Sequence, residues 1–327
     1  MTAWRALAPA KVNLGLFVGP VRERDGRHEL VTVMQSISLA DELTLEPAPA
    51  GGAGDEVVCP GVPGPPEQNL AAGALRAFRA RTGWEAPPLR LSIVKRIPVA
   101  GGLAGGSADA AATLRLAQHA SGLGDERLLR ELAGSLGADV PAQASPGRWL
   151  AGGAGEQLRR LAPPRRPFAV LVLPLQAQLS TAAVYAELDR LGLTRSEAEL
   201  ERSRRALEAA FEGGQPLPDA NAPLHNDLQR AAVSLCPMIA DALAQLGEAG
   251  ARTALVSGSG PTVIGLFGDD ASRDGGLARA RAAAAQLAAA QQHRGLRLAP
   301  ICAAPVSAAF ARANDGPVRH NPSEIHD

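Results

Sequence analysis

The sequence predicts an α+β protein of two medium-sized domains. Strand-like and helix-like segments alternate without a regular βαβ rhythm, which argues against a doubly wound sheet. The chain has 327 residues, 46% of them hydrophobic and 20% charged, enough for one large or two medium cores. A Pro/Arg cluster at 163–167 interrupts the periodic segments and suggests a boundary. The expected organisation is a domain over 1–165, a second over 166–312, and a polar, frayed tail over 313–327.

Trp4 to Val18 reads as a strand carrying Lys11 and Asn13. Asp25-Gly26 is a turn signal. Leu30 to Leu39 is rich in β-formers, and Ala40-Asp41 is read as a turn into a second strand, Glu42 to Glu46. Residues 47–68 are rich in Pro, Gly and Ala without periodicity and read as a surface loop. Asn69 to Arg81 predicts a helix stopped by Gly83, and Leu89 to Ile97 a strand. Gly101 to Gly106 is a glycine-rich loop leading into an alanine-rich helix from Ser107 to Ala120. Leucines at 128, 129, 132 and 136 have helical spacing, and Gly137 supplies the stop. Phe168 to Leu173 reads as a buried strand, followed by helices near 181–191, 196–212 and 226–247. Thr253 to Phe267 reads as strand, glycine-rich turn and strand, and 276–291 as a long helix.

Composition narrows the chemistry. Basic and acidic residues balance at 33 each, so the basic surplus expected of a nucleic-acid binder is missing. Cys59, Cys236 and Cys302 lie far apart, with no spacing that suggests a metal site or a disulfide framework. The N-terminus lacks the pattern of a secretory signal, and no run approaches the ~20 apolar residues of a membrane helix. The expectation is a cytoplasmic protein with a small-molecule partner, no nucleic acid, no membrane and no protein-held metal, as monomer or homodimer. Of the 33 basic residues only Lys11 and Lys95 are lysine, and each adjoins a motif.

The strongest motif is Pro98-Val99-Ala100-Gly101-Gly102-Leu103-Ala104-Gly105-Gly106-Ser107-Ala108, between a predicted strand and a predicted helix. Glycines let a backbone approach a ligand and turn its N–H groups inward, and a helix N-terminus adds partial positive charge. The combination suits nucleotide phosphates, with Ser107 placed for a phosphate oxygen or an accompanying Mg²⁺. No lysine follows the glycines, so GxxxxGK[ST] is absent, as are GxGxxG and the protein-kinase motif set.

Three segments in order, Pro9 to Leu16 (PAKVNLGL), Pro98 to Ala108, and Val256 to Pro261 (VSGSGP), resemble the GHMP kinase superfamily, the small-molecule kinases of galactose, homoserine, mevalonate and phosphomevalonate. The form PAKVNL, the segment Asp25 to Leu30 (DGRHEL), Leu136 to Pro141 (LGADVP) and His225 to Leu228 (HNDL) resemble its branch acting on a cytidine-linked methylerythritol. The resemblance spans about residues 5–312. It implies two α+β domains with the active site in the cleft between them. It also implies ATP-dependent phosphorylation of the 2-hydroxyl of 4-diphosphocytidyl-2-C-methyl-D-erythritol, in the non-mevalonate route to isoprenoid precursors, with Mg²⁺ bound through the ATP phosphates. Other readings are another kinase of the superfamily, of homoserine or mevalonate type, and a non-catalytic relative that senses a metabolite; the latter should have lost the residues named next.

The resemblance makes Lys11 and Asp139 the catalytic pair. Asp139 would orient the attacking hydroxyl and take its proton, and Lys11 would stabilise charge at the γ-phosphate. With Pro141 as the first helical residue the cap falls on Val140, so capping does not account for Asp139. Asn13, two positions from Lys11, shares its strand face and is assigned to substrate. His28 is assigned to the polar edge of the cytosine and Tyr185 to its face. The family usually carries an aromatic residue just before the histidine; Arg27 stands there, and its guanidinium can stack. Gly258, Ser259 and Gly260 would cradle substrate phosphates or the transferring group. Lys95 would support nucleotide phosphates or face solvent.

Overall fold

The computed structural model describes residues 3–51, 54–217, 224–268, 274–293 and 299–315. Its first sheet is built on two long antiparallel neighbours, β1 (Trp4–Val21) and β2 (His28–Pro47). Both are buried along most of their length, which explains the continuous apolar runs in place of alternation.

β2 is one strand where the sequence suggests two. Ala40 and Asp41 stay in the ladder, opposite Pro9 and Ala8. Asp41 makes no turn because its carboxylate is held from within, by the N–H groups of Arg96 (2.6 Å) and Ile97 (2.8 Å) and by Lys95. A register shift between Pro9 and Lys11 accommodates extra residues of β2. There the Ser38 N–H donates to the Ala304 carbonyl at 2.8 Å.

The segment 47–68 is not all loop. It contains β3 (Glu56–Val58) and a 3-10 turn at Pro66–Gln68. β3 runs parallel to β4 (Leu89–Val94), which pairs with Glu42 to Pro47 of β2. The other half of β2, Thr32 to Gln35, pairs with β5 (Arg148–Gly152), and β5 with β6 (Gln157–Arg160). Neither β5 nor β6 is suggested by the sequence pattern.

The second sheet is antiparallel, in the order β10 (Ile301–Ala303), β7 (Ala169–Leu173), β9 (Val263–Phe267), β8 (Thr253–Val256). A short β11 (Asn314–Asp315) returns to pair with Trp4 and Arg5, so the expected tail begins as a strand of the first sheet. Its remainder, 316–327, lies outside the described residues.

Helix ends follow local chemistry. α1 (Leu70–Thr82) is capped by the Asn69 side chain and closed by Gly83 at φ +67°. α2 (Gly105–Ser121) starts without a side-chain cap. Asp125 caps α3 (Glu126–Leu136), and α4 (Val140–Ala144) follows. Ser180 caps α5 (Thr181–Arg190), and Ser196 forms a capping box with Glu199 on α6 (Glu197–Phe211). The helix expected over 226–247 is two, α7 (Leu228–Leu235) and α8 (Met238–Glu248), because Pro237 cannot donate within a continuous helix. α9 (Leu277–His293) covers β7 and β10.

α2 packs on β1 and β2, with α1 and α3 against it. α6 follows the 163–167 segment in sequence yet packs on β1 and β2, burying Leu200, Leu207 and Phe211 there. The halves are joined by backbone bridges, Leu16 with Asn226 and Ile37 with Pro305.

Candidate active site

A cleft of 1120 Å³ opens between elements of the two sheets. On β1, Lys11 and Asn13 point to the same side and are buried at 6% and 3% exposure. The Lys11 ammonium donates to Asn13 Oδ1 at 2.9 Å. The Asn13 amide donates to Thr32 Oγ1 at 2.8 Å, and Thr32 to the Gly15 carbonyl at 2.6 Å. This relay fixes the cation. Across from it, Asp139 Oδ2 lies 3.8 Å from Lys11 Nζ. That distance is an electrostatic contact and not a hydrogen bond, so each group keeps capacity for a third partner.

Asp139 occupies the position that capping analysis assigns to Val140. The helix begins at Val140, with Pro141 second, so Asp139 is the N-cap residue of α4. Its side chain makes no capping bond and remains 39% exposed to the cleft. The position is that of a cap; the carboxylate is left for something else.

The glycine loop forms the cleft's second wall. Ala104 precedes α2 at φ +55°, so no side chain caps that helix, whereas Asn69, Asp125, Ser180 and Ser196 cap four others. The first N–H groups of a helix have no intrahelical acceptor and attract anions. A Cβ on Gly106 would meet only Leu70, at 3.8 Å, so space above the backbone is open. Gly102 is required for a different reason: at φ +73°, a Cβ there would lie 2.1 Å from the Ser257 carbonyl oxygen. The two glycine segments therefore interlock, and the Ser257 hydroxyl donates to the Gly102 carbonyl at 3.1 Å.

Asn226 sets the second segment by donating to the carbonyls of Val256 (2.8 Å) and Gly258 (2.7 Å). Ser259 meets Thr181 at 3.0 Å. Gly258, Ser259 and Gly260 line the cleft.

At one end of the cleft, the His28 ring lies 5.2 Å from the Tyr185 ring. Its Nδ1 is 2.9 Å from the Gly19 carbonyl and its Nε2 3.2 Å from Asp189. Burial, reinforced by Asp139, pushes the Tyr185 hydroxyl up to about 12. Arg27 borders the same end, with its guanidinium donating to the Ala154 carbonyl at 3.0 Å.

At the other end, Val57, Cys59, Pro63, Pro65 and Asn69 make a mostly apolar wall beside the glycine loop. Sequence reasoning missed it, because a wall of prolines has no periodicity. Below it, Lys95 does not face solvent. It pairs with Asp41 and, at 2.7 Å, with Asp109 of α2. Burial would push the ammonium down, but Asp109 and Asp41 outweigh it and raise the Lys95 pKa. Burial pushes Asp109 up to about 7, Asp41 adding to the effect and Lys95 opposing it. Asp109 Oδ1 is buried without a hydrogen-bond partner.

Of the residues nominated from sequence, Leu103 and Ala108 do not line the cleft. Both are buried in the core, and the Leu103 carbonyl accepts from the Lys11 N–H at 3.2 Å. The other nominated residues all border the cleft. Among the described residues no group of three His, Cys, Asp or Glu side chains could hold a metal ion, and no helix is long and apolar enough to cross a membrane.

Residues 69–147 match the N-terminal domain of GHMP kinases, and residues 192–289 match the C-terminal one. A 4-diphosphocytidyl-2-C-methyl-D-erythritol kinase of Streptomyces coelicolor is 43% identical over 283 residues, 83% of this chain and 91% of that protein. The chain belongs to the GHMP kinase family. A second relative of the same name, from Salinispora tropica, is 40% identical over 90% of this chain and 91% of its own length. A crystal structure of 4-(cytidine 5'-diphospho)-2C-methyl-D-erythritol kinase superposes with a TM-score of 0.68 at 32% identity, covering 95% of this chain and 98% of that one. Homoserine kinase from Cytophaga hutchinsonii has a TM-score of 0.67 at 14% identity over 96% and 97% of the two chains, a likeness of fold alone. Two-domain GHMP kinase architecture and ATP use follow from this membership.

Proposed function

We infer that this GHMP kinase transfers the γ-phosphoryl group of ATP to the 2-hydroxyl of 4-diphosphocytidyl-2-C-methyl-D-erythritol. The observation that carries the reading is one arrangement: an uncapped helix N-terminus, with open space over Gly106, shares a cleft with a lysine–carboxylate pair that is close but not hydrogen-bonded. The substrate follows from relatives of that name covering most of the chain.

ATP phosphates would lie over Gly105, Gly106 and Ser107, with the base against Val57, Pro63 and Pro65. Mg²⁺ would be carried by the ATP phosphates and would neutralise charge there. Asp139 would accept the hydroxyl proton as the substrate oxygen attacks phosphorus. Lys11, fixed by Asn13, would hold that oxygen and the γ-phosphate in line. Tyr185 and His28 would pack against the cytosine, with Arg27 beside them as a guanidinium plane or a diphosphate contact. For His28 to read the base edge, Nε2 must exchange Asp189 for the base. One chain supplies every group used, so a monomer suffices whether or not copies associate. The division at 165/166 would then place Lys11, Asp139 and the ATP loop in the first domain, and Tyr185 with the second glycine turn in the other.

The direct test is ADP release with ATP and Mg²⁺ on the cytidine compound, homoserine and mevalonate in parallel. Turnover on the first alone is expected; turnover on another alcohol instead would discard the cytidine assignment. Tyr185→Ala should raise the KM for the cytidine substrate far more than that for ATP, and equal effects on both would remove the base-stacking role.

A further inference from the structure

A second cavity, of 150 Å³, lies where the 161–167 segment meets β5, β6 and the segment 305–307. It shares no lining residue with the catalytic cleft. Arg148, Arg160, Arg165 and Arg166 line it, and no Asp or Glu is among its described lining residues.

Arg148 is the unusual member. It is 1% exposed, and its guanidinium donates to Gln35 Oε1 at 2.8 Å, to the Pro216 carbonyl at 3.0 Å and to the Gln215 carbonyl. Phe168 and Phe211 lie against its faces. All these partners are neutral. Burial pushes its pKa down to about 9, the mark of a cation desolvated without a counter-charge. Arg160 donates to Ser145 and to the Pro146 carbonyl, both neutral, and burial lowers its pKa against the opposing charge of Glu126; its neighbour Arg159 has an ion-pair partner in Glu208 at 2.9 Å. Arg115 is also held by carbonyls, but it lines neither cavity.

We propose that this arginine-lined cavity is a second anion site, which binds a phosphate or diphosphate group. The volume corresponds to about five water molecules at about 30 Å³ each. That admits one or two phosphoryl groups. Planar guanidinium forks match the geometry of phosphate oxygens. The site lies on the side of β2 away from the cleft. Gln35 borders it, while Met34, the preceding residue of β2, borders the cleft from the opposite face.

The test is calorimetric titration of the full chain with inorganic phosphate and with inorganic pyrophosphate, the cleft first filled with a non-hydrolysable ATP analogue. One saturable site is expected for at least one of them, and the tighter of the two identifies the group. Arg165→Gln should weaken binding about tenfold or more, since a charge-assisted contact is lost. Asp139→Asn should leave it unchanged. Arg165 is exposed, so its replacement tests the site even if an Arg148 variant does not fold. No saturable binding, binding indifferent to Arg165→Gln, or equally tight binding of acetate would overturn the assignment.

Discussion

The molecule's two lysines sit in the same cleft, each next to a carboxylate, and are used in opposite ways. Lys95 is closed in by Asp41 and Asp109, both nearly unexposed, and its neighbours take up its charge. Lys11 is as well buried, but it donates to a neutral amide, Asn13, and stops 3.8 Å short of a carboxylate that is 39% exposed. One lysine has its charge satisfied by the fold; the other has its position satisfied and its charge left open. That is the difference between a cation that ties α2 to β2 beneath the phosphate loop and a cation available to a transferring phosphoryl group.

Breaking the open pair should cost the most activity. Asp139→Asn is expected to lower kcat by about 10²–10⁴-fold, the range for losing a positioned proton acceptor. ATP affinity should be nearly unchanged, because the glycine loop is untouched. Lys11→Met should lose about 10²–10³-fold in kcat, as when one electrostatic stabiliser of a transition state is removed. Steady-state kinetics with a fluorescent-nucleotide binding control checks both. Near-normal turnover in either variant would remove that residue from the chemistry.

Breaking the closed pair should act on the fold before it acts on the reaction. Lys95→Met leaves Asp41 and Asp109 buried beside each other, and losing one partner of a buried pair costs about 3–5 kcal/mol. Urea unfolding should show that loss. In kinetics, the KM for ATP should rise more than kcat falls, since Asp109 belongs to the second turn of α2 and its displacement would disturb the loop that precedes it. A variant with unchanged stability but the kcat loss of Lys11→Met would erase the contrast between the two lysines.

The same contrast separates what was legible in the sequence from what was not. Lys11 and Asn13 are two apart on a strand, so their common face could be read directly. The glycine loop was legible because glycine is the residue that announces a close approach, and Gly102 is forced by a neighbouring carbonyl. Asp139 was found through resemblance, while local reasoning misplaced the start of α4 by one residue. Asp41 was misread as a turn because aspartate disfavours strands; its partner Lys95 lies 54 residues away, and no local pattern announces that bond. β5 was missed for a similar reason: it starts with an arginine whose partners, Gln35, Phe168, Phe211 and the Gln215 and Pro216 carbonyls, are distant in sequence.

The smallest expected effect is also the most specific. Asp109 has an ordinary value of 3.8 and is pushed to about 7 in the fold, first by burial and then by Asp41, against the pull of Lys95. Between those values the folded chain holds a proton that the unfolded chain has released. Protonation therefore favours the fold, and this contribution is present at low pH and lost as pH rises through about 7. Asp109→Asn is neutral at every pH and removes the dependence. Urea midpoints of both proteins between pH 5 and 8 should show wild type losing stability relative to the variant as pH rises, by at most about 1.4 kcal/mol per pH unit. A difference that stays flat would mean that Lys95 keeps Asp109 ionised throughout. The orphaned Oδ1 would then mark a permanently charged carboxylate, and the closed pair would be a plain ion pair with no proton in reserve.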